Sequence, residues 1–134
     1  MLRSFEKWIA AIPELTDRQG WTELNILVVG NAAARRFNRQ FRGHDHATNV
    51  LAFPCESAPG EHSGLLGDLV ICAPVVAREA RRQHKAIRDH FAHLSIHGVL
   101  HLLGHDHETP AEARRMEAME IRILAGLGIR NPYE

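Results

Sequence analysis

The sequence predicts an α+β fold, a small mixed β-sheet covered by helices with one buried central helix; an α/β fold is the alternative. Three short apolar runs rich in β-branched residues, each closed by Gly, Pro or a new helix, indicate strands. The stretches around them repeat apolar residues at steps of three and four, as amphipathic helices do. With 134 residues, the chain fits one compact core, so we expect 1–134 to form a single domain.

The first third of the chain predicts a helix, a strand and a second helix. Apolar residues at near-helical intervals predict a helix over 2–11 that ends before Pro13. The run LNILVV predicts a strand over 24–29. Asn31 stands where it can cap a following helix, which we expect to end near Gly43.

Two further strands and a basic helix follow. TNVLAF predicts a strand over 48–53, and LLGDLVIC predicts another over 65–72, with a Pro, Gly and Ser-containing loop between them. From Pro74 the pattern becomes helical, and 78–88 is the densest basic segment of the chain. This segment either tracks an RNA backbone or is simply a solvated helix face.

The last two helices differ in character. The helix predicted over 89–103 has apolar residues on more than one face, which is typical of a buried central helix. Thr109 and Glu112 have the spacing of a capping box with Pro110 at the first helical position, so a final helix begins there.

Composition excludes several classes of protein. Sixteen Lys and Arg residues balance sixteen Asp and Glu residues, so the chain has no general attraction for polyanions and any nucleic-acid binding must use a local patch. No apolar run approaches a membrane span, and the N-terminus does not read as a secretory signal. We therefore expect a cytoplasmic protein with no membrane partner. The two cysteines lack CxxC spacing, which excludes a thiolate metal site.

A cluster of histidines carries the chemistry. Six of the ten histidines lie between positions 90 and 107. His97 and His101 are four apart on a helix, so their side chains share one face. Gly104 allows the left-handed turn that would bring His107 back toward that face. We predict that His97, His101 and His107 bind one metal ion and leave a coordination position open for hydrolytic chemistry.

The spacing His-x3-His-x2-Gly-x2-His is similar to the metzincin ligand frame, which makes the predicted fold zincin-like and zinc the expected ion. Three imidazoles also accept nickel, cobalt or copper, so the metal's identity stays open. Zinc proteases of this type place a Glu general base directly after the first histidine, where this chain has Gly98. A metalloprotease is therefore a weak alternative.

The segment HGVLHLLGHDH closely resembles the bacterial YbeY family, whose signature is HGxLHLxGyDH. FRGHDHATNVLAFP resembles the family's YRxxDxPTNVLSFP, and GDLVI resembles its following strand, so the likeness covers about residues 37–107. The sequence departs from the family pattern at His105 (usually Tyr), Ala47 (Pro) and Ala52 (Ser).

The resemblance implies a single-strand-specific endoribonuclease that acts in ribosomal RNA maturation and ribosome quality control. Its implied partners are single-stranded RNA, ribosomal RNA above all, with ribosomal proteins or assembly GTPases as candidates; neither DNA nor a membrane is expected. It also implies that the three histidines bind the metal and that Arg42 is functionally important. Thr48, Asp68 and His93 occupy motif positions without an assigned role.

Arg42 is our candidate catalytic residue, because a guanidinium can hold phosphate oxygens in a bidentate contact and stabilise negative charge in the transition state. The proton acceptor stays open among Asp106, His105, Asp68 and no separate base at all. The main rival is a noncatalytic RNA- or ribosome-binding factor with structural zinc, which needs a fourth protein ligand; His105 and His93 are the nearest candidates. Otherwise we expect His93 to contact the metal ligands without binding the metal itself, and we expect His90 to face solvent.

Overall fold

The computed structural model describes residues 2–17, 23–55 and 64–134, and its helices and strands have the predicted α+β class. In chain order the elements are α1 (Leu2–Ala10), α2 (Pro13–Asp17), β1 (Glu23–Val29), α3 (Asn31–Arg42), β2 (Val50–Pro54), β3 (Leu65–Cys72), α4 (Ala73–Arg82), α5 (Ile87–Leu102) and α6 (Pro110–Gly126). The predicted helices and strands are all present, and most begin and end within one or two residues of the expected positions. The basic helix predicted from Pro74 is shorter than expected, since α4 ends at Arg82 and residues 83–86 are not helical.

The described strands form a mixed sheet in the order β1-β3-β2, with β3 parallel to β1 and antiparallel to β2. Successive side chains of a strand point to opposite faces of a sheet. Leu69 and Ile71 of β3 join the main core, which contains α1, α5 and α6, whereas Cys72 packs with Ala34 of α3 on the other side. The central strand is therefore covered on both faces.

Helix α5 is the predicted buried central helix. It contacts β2, β3, α1, α4 and α6, and eleven of its sixteen residues are buried. The buried hydroxyl of Ser95 donates to the Phe91 carbonyl at 2.7 Å, which satisfies that polar group inside the helix. Gly98 lies against the sheet, where an added Cβ would be 2.7 Å from Leu69 Cδ2. The absence of a side chain thus lets α5 approach the sheet closely.

Three local predictions needed correction. The sequence pattern did not predict α2, a helix of five residues that begins at Pro13. Asn31 does not cap α3: Gly30 is the N-cap residue, and the Asn31 Oδ1 instead accepts from the Cys72 thiol at 3.5 Å. Strand β2 begins at Val50 rather than at 48. The predicted loop before β3 lies mostly outside the described residues.

The capping box and the helix-ending glycines were predicted correctly. Thr109 accepts from the Glu112 backbone at 3.1 Å, and the Glu112 side chain accepts from the Thr109 backbone at 3.2 Å. Gly43 follows α3 in the left-handed conformation with φ 74°. Within the described ranges, no helix has both the length and the apolar character to cross a bilayer.

Candidate metal centre

His97 and His101 lie one turn apart on α5, with both rings half-buried and directed to a common point. Their Nε2 atoms are 3.2 Å apart. Two nitrogens bound to one tetrahedral zinc ion at about 2.0–2.1 Å would lie roughly 3.3–3.4 Å apart. The pair therefore already has the spacing that a shared ion requires.

Gly104 turns the chain so that His107 joins this pair. Its φ is +100°, and it sits in a Schellman turn in which His105 N donates to Leu100 O and Gly104 N donates to His101 O, both at 3.0 Å. The His107 ring centroid is 5.4 Å from that of His97 and 4.8 Å from that of His101. One nitrogen from each ring lies within 4.8 Å of the others, and this cluster can hold a metal ion.

A buried carboxylate orients the first histidine. Glu120 of α6 is 0% exposed, and its Oε2 accepts from His97 Nδ1 at 3.1 Å. Because a carboxylate only accepts hydrogen bonds, His97 carries its proton on Nδ1 and leaves the Nε2 lone pair for a metal. The other oxygen, Oε1, accepts from His93 Nε2 and from the Tyr133 hydroxyl, both at 2.6 Å. Both oxygens of this buried carboxylate are thus satisfied.

The protonation equilibria of this network suit metal binding. Burial by itself would raise the pKa of Glu120, but hydrogen bonds from His93, His97 and Tyr133 lower it to about 2. Burial, followed by the neighbouring His97 and His107, lowers the pKa of His101, which favours the neutral imidazole that a metal needs. Burial and the Glu120 carboxylate raise the pKa of Tyr133, so its hydroxyl stays protonated.

The three histidines open onto a cleft of about 670 Å³ between α5 and β2. Arg42 also lines this cleft, from the β2 side. Its guanidinium is exposed, donates from Nη2 to the Ala52 carbonyl at 2.7 Å and lies 5.2 Å from the centre of the Phe53 ring. The structure therefore brings the predicted catalytic arginine to the same cleft as the predicted metal ligands.

His93 and His90 behave differently from each other. His93 donates to Glu120, which in turn accepts from His97, so His93 is connected to the histidine cluster through this carboxylate, as predicted. The prediction that His90 faces solvent was wrong: it is 4% exposed, because this part of α5 packs against α4, and its Nε2 lies 3.0 Å from Glu79 Oε1 of that helix. Burial lowers the pKa of His90, and the Glu79 hydrogen bond opposes this effect.

None of the three side chains considered as proton acceptors lines the cleft. His105 Nε2 lies 2.6 Å from Glu14 Oε1 of α2. The Asp106 carboxylate accepts from the His107 backbone at 2.7 Å. Asp68 accepts from the Asn25 amide at 2.9 Å in a groove next to Phe37 of α3, on the other face of the sheet. Thr48 precedes β2, and no role emerges for it.

The basic segment stays outside the cleft. Arg78, Arg81, Arg82 and Arg88 are exposed, so either predicted interpretation, an RNA track or a solvated face, is compatible with their positions. Lys85 differs, since its Nζ donates to the Pro132 carbonyl at 2.6 Å and burial lowers its pKa.

The sequence-based prediction missed Glu120 and Tyr133. Glu120 had a detectable signal, because it occupies the apolar stripe of α6 defined by Met116, Ile123 and Leu124, where a carboxylate needs a partner. Tyr133 had none, since its position follows the last helix and belongs to no periodic pattern.

Comparison of the whole chain with known proteins identifies its family. A profile described as Endoribonuclease YbeY matches residues 1–128. Proteins named Endoribonuclease YbeY from Halorhodospira halophila and Alkalilimnicola ehrlichii are 53% and 54% identical over 132 residues, which are 96% and 97% of this chain and 84% and 80% of theirs. A solution structure of a Thermotoga maritima protein has a similar fold, with a TM-score of 0.62 and 23% identity over 94% of this chain and 85% of that one. The chain therefore belongs to the Endoribonuclease YbeY family, as its histidine segment predicted.

Proposed function

We propose that this chain is a metal-dependent endoribonuclease that cleaves single-stranded RNA, with ribosomal RNA as its substrate, in the cleft between α5 and β2. The observation that supports this most directly is the convergence of three imidazoles and Arg42 on one open cleft. Membership of a family whose curated relatives are named endoribonucleases supports the reaction class.

In this proposal His97, His101 and His107 hold one divalent ion, with zinc as the expected metal. Such an ion supplies Lewis acidity toward a phosphoryl oxygen and acidifies water, which is the chemistry phosphodiester hydrolysis needs. Glu120 holds the His97 ring in its binding orientation through the 3.1 Å hydrogen bond to Nδ1. The zincin-like character of the site is part of this proposal.

Arg42 binds the phosphate that is cut. The three neutral imidazoles contribute no charge, and no described Asp or Glu lines the cleft, so the anionic substrate meets an arginine and a dication. Because the Ala52 carbonyl and the Phe53 ring already hold the guanidinium in place, little side-chain entropy is lost when it contacts the phosphate oxygens.

Two rival functions are less well supported. A structural zinc site needs a fourth protein ligand, but among the described residues only three histidines group together, with His105 engaged by Glu14 and His93 by Glu120. A metalloprotease needs a general base directly after His97, and the residue at that position is Gly98, which lines the cleft without a side chain. We therefore favour nuclease activity over both.

The remaining parts of the proposal concern context. Residues of α1, β3, α5 and α6 share one buried cluster, which supports a single domain over 1–134. We keep the cytoplasm as the expected location and ribosomal proteins or assembly GTPases as candidate partners. A proton acceptor from the protein is not assigned.

The test combines elemental analysis with cleavage of a labelled single-stranded RNA by the wild-type protein and by His101→Ala. We expect about one metal ion per chain and cleavage in the wild type, and loss of both in the variant. A duplex of the same sequence serves as the control for strand preference. Equal cleavage by the metal-free variant would expose a contaminating nuclease and remove the support for the proposal.

Arg42→Ala separates metal binding from catalysis. Since Arg42 touches none of the histidines, the variant should retain the metal but cleave RNA about 10²- to 10³-fold more slowly, the usual effect of removing one charge-stabilising donor. Unchanged cleavage by this variant would remove the role assigned to Arg42. Hydrolysis of casein by the wild type, but not by His101→Ala, would instead favour the protease.

A further inference from the structure

Tyr133 presents a half-exposed aromatic ring to the cleft, and this ring has no role in the proposed reaction. The residue is 46% exposed and lines the same cleft as Arg42 and the three histidines. An aromatic ring of this size usually buries its apolar faces. A ring left open beside a candidate nuclease site is therefore available to a ligand.

The ring is held rigidly although it is exposed. Its hydroxyl donates to Glu120 Oε1 at 2.6 Å and lies 3.2 Å from His93 Nε2. Its plane is at 83° to the His93 ring, with centroids 5.4 Å apart. The Tyr133 backbone N donates to the Asn131 side chain at 2.9 Å, and Lys85 holds the neighbouring Pro132 carbonyl. Little conformational entropy would be lost when a flat ligand covers this ring.

Its position places it next to the reacting phosphate. Tyr133 contacts His93, which lies one turn of α5, about 6 Å along the helix axis, from the ligand His97. Arg42 lies on the opposite, β2 side of the cleft. A nucleotide whose phosphate reaches Arg42 and the histidines would therefore have a flanking base close to the Tyr133 ring.

We propose that Tyr133 is a stacking platform for one unpaired base of the RNA, adjacent to the nucleotide linkage that is cut. This inference rests on the proposed RNA cleavage and adds a substrate subsite to it. Every base has a π-face, so stacking on Tyr133 selects unpaired bases without selecting a sequence. A base within a duplex is already stacked on its neighbours, so the platform gives a physical reason for single-strand preference.

The test is a cycle of protein and substrate changes with the metal-loaded enzyme. We measure kcat/KM of the wild type and of Tyr133→Leu for a single-stranded RNA and for a series of variants of this RNA. Each variant RNA has a single abasic nucleotide, at a different position along the strand. We expect Tyr133→Leu to lower kcat/KM for the intact RNA by at least about fivefold, the lower end of measured base–aromatic stacking. At one position the abasic substitution should lower kcat/KM of the wild type by a similar factor but leave kcat/KM of Tyr133→Leu almost unchanged, because the two changes remove the same contact.

Two further variants distinguish stacking from a structural role. Tyr133→Trp retains a platform and should recover most of the lost kcat/KM. Val28→Ala truncates an apolar side chain of equal exposure, 46%, on β1 outside this cleft, and it should leave every value near that of the wild type. The metal content of all variants is measured, since Tyr133 shares Glu120 with His97.

The outcomes separate this inference from the proposed function. Cleavage by Tyr133→Leu equal to that of the wild type would overturn the platform and leave the nuclease intact. If Tyr133→Leu lowered kcat/KM equally for all substrates, and every abasic substitution still lowered kcat/KM as much as in the wild type, Tyr133 would have a structural role. This result would also overturn the platform. A wild-type protein that binds metal but cleaves no RNA would overturn both proposals.

Discussion

Glu120 connects α6 to the candidate metal site through a single carboxylate. Its Oε2 orients His97, while its Oε1 receives two hydrogen bonds of 2.6 Å. Replacement by Gln leaves the volume unchanged but puts an amide group, with only one acceptor oxygen, among three donors. An orienting partner of this kind typically contributes 10- to 100-fold in metal affinity.

We therefore expect Glu120→Gln to weaken zinc binding about 10- to 100-fold, as measured by competition with a chromophoric chelator. Glu117→Gln, on the same helix but without a hydrogen bond to Glu120, His93 or His97, is the matched control and should bind as the wild type does. Circular dichroism of both variants checks that α6 is still folded. Wild-type affinity in Glu120→Gln would show that His97 needs no orienting partner.

His90 makes the stability of the fold depend on pH. Burial lowers its pKa below the ordinary value of 6.5, so the unfolded chain binds this proton more tightly than the folded protein does. Protonation then favours unfolding, and the free energy of unfolding should decrease as the pH falls below about 6.5. Glu79 opposes the effect by accepting a hydrogen bond at 3.0 Å.

The variant His90→Gln can still donate to Glu79 but does not titrate. We expect its free energy of unfolding, measured by urea denaturation with metal removed by a chelator, to fall less between pH 6.5 and 5 than that of the wild type. The other histidines are common to both proteins, so the difference isolates position 90. Parallel pH profiles would mean that His90 titrates alike in the folded and unfolded chains.

Helix α5 depends on Gly98 to lie close to the sheet while it presents two of the proposed ligands, His97 and His101, to the cleft. A Cβ at this position would be 2.7 Å from Leu69 Cδ2 and 3.4 Å from Val50 Cγ2. Leu69 is 0% exposed, so it has little room to move. Overpacking of such a contact costs about 1–3 kcal/mol.

We expect the free energy of unfolding of Gly98→Ala, measured in a denaturant titration, to be about 1–3 kcal/mol lower than that of Gly126→Ala, because Ala favours the helix at both positions but overpacks the core only at position 98. Gly126, at the end of α6, has open space around its hypothetical Cβ. Gly126→Ala should therefore be neutral or stabilising by up to about 1 kcal/mol, since Ala favours the helix. If both variants had the same stability, close packing of α5 would not be the reason for glycine at position 98.

Metal binding should stabilise the assembled chain, because the three proposed ligands come from α5 and from the loop that follows it. A ligand that binds only the folded state adds about 2.7 kcal/mol when its free concentration is 100 times its Kd. We expect zinc to raise the thermal midpoint of the wild-type protein in proportion to the logarithm of its free concentration. His107→Ala, which leaves α5 itself unchanged, should lose this dependence; an unaltered shift would exclude His107 from the site.

The local features of this protein could be predicted from its sequence because they depend on near neighbours in the chain. Helical periodicity placed His97 and His101 on one face, and the glycine at 104 allowed the turn that returns His107. The same reasoning located the three strands that the structure describes and the capping box of α6. The family was predicted as well, since its signature falls within one helix and the turn after it.

The contacts that complete the site join distant parts of the chain, and only the tertiary structure decided them. Glu120 reaches His97 across 23 positions, and Tyr133 reaches His93 across 40. Asp68, which the sequence left open as a base, faces away because the register of β3 directs alternate side chains to opposite faces of the sheet. Periodicity shows which side chains share a face of one element, but which elements meet depends on how the core packs.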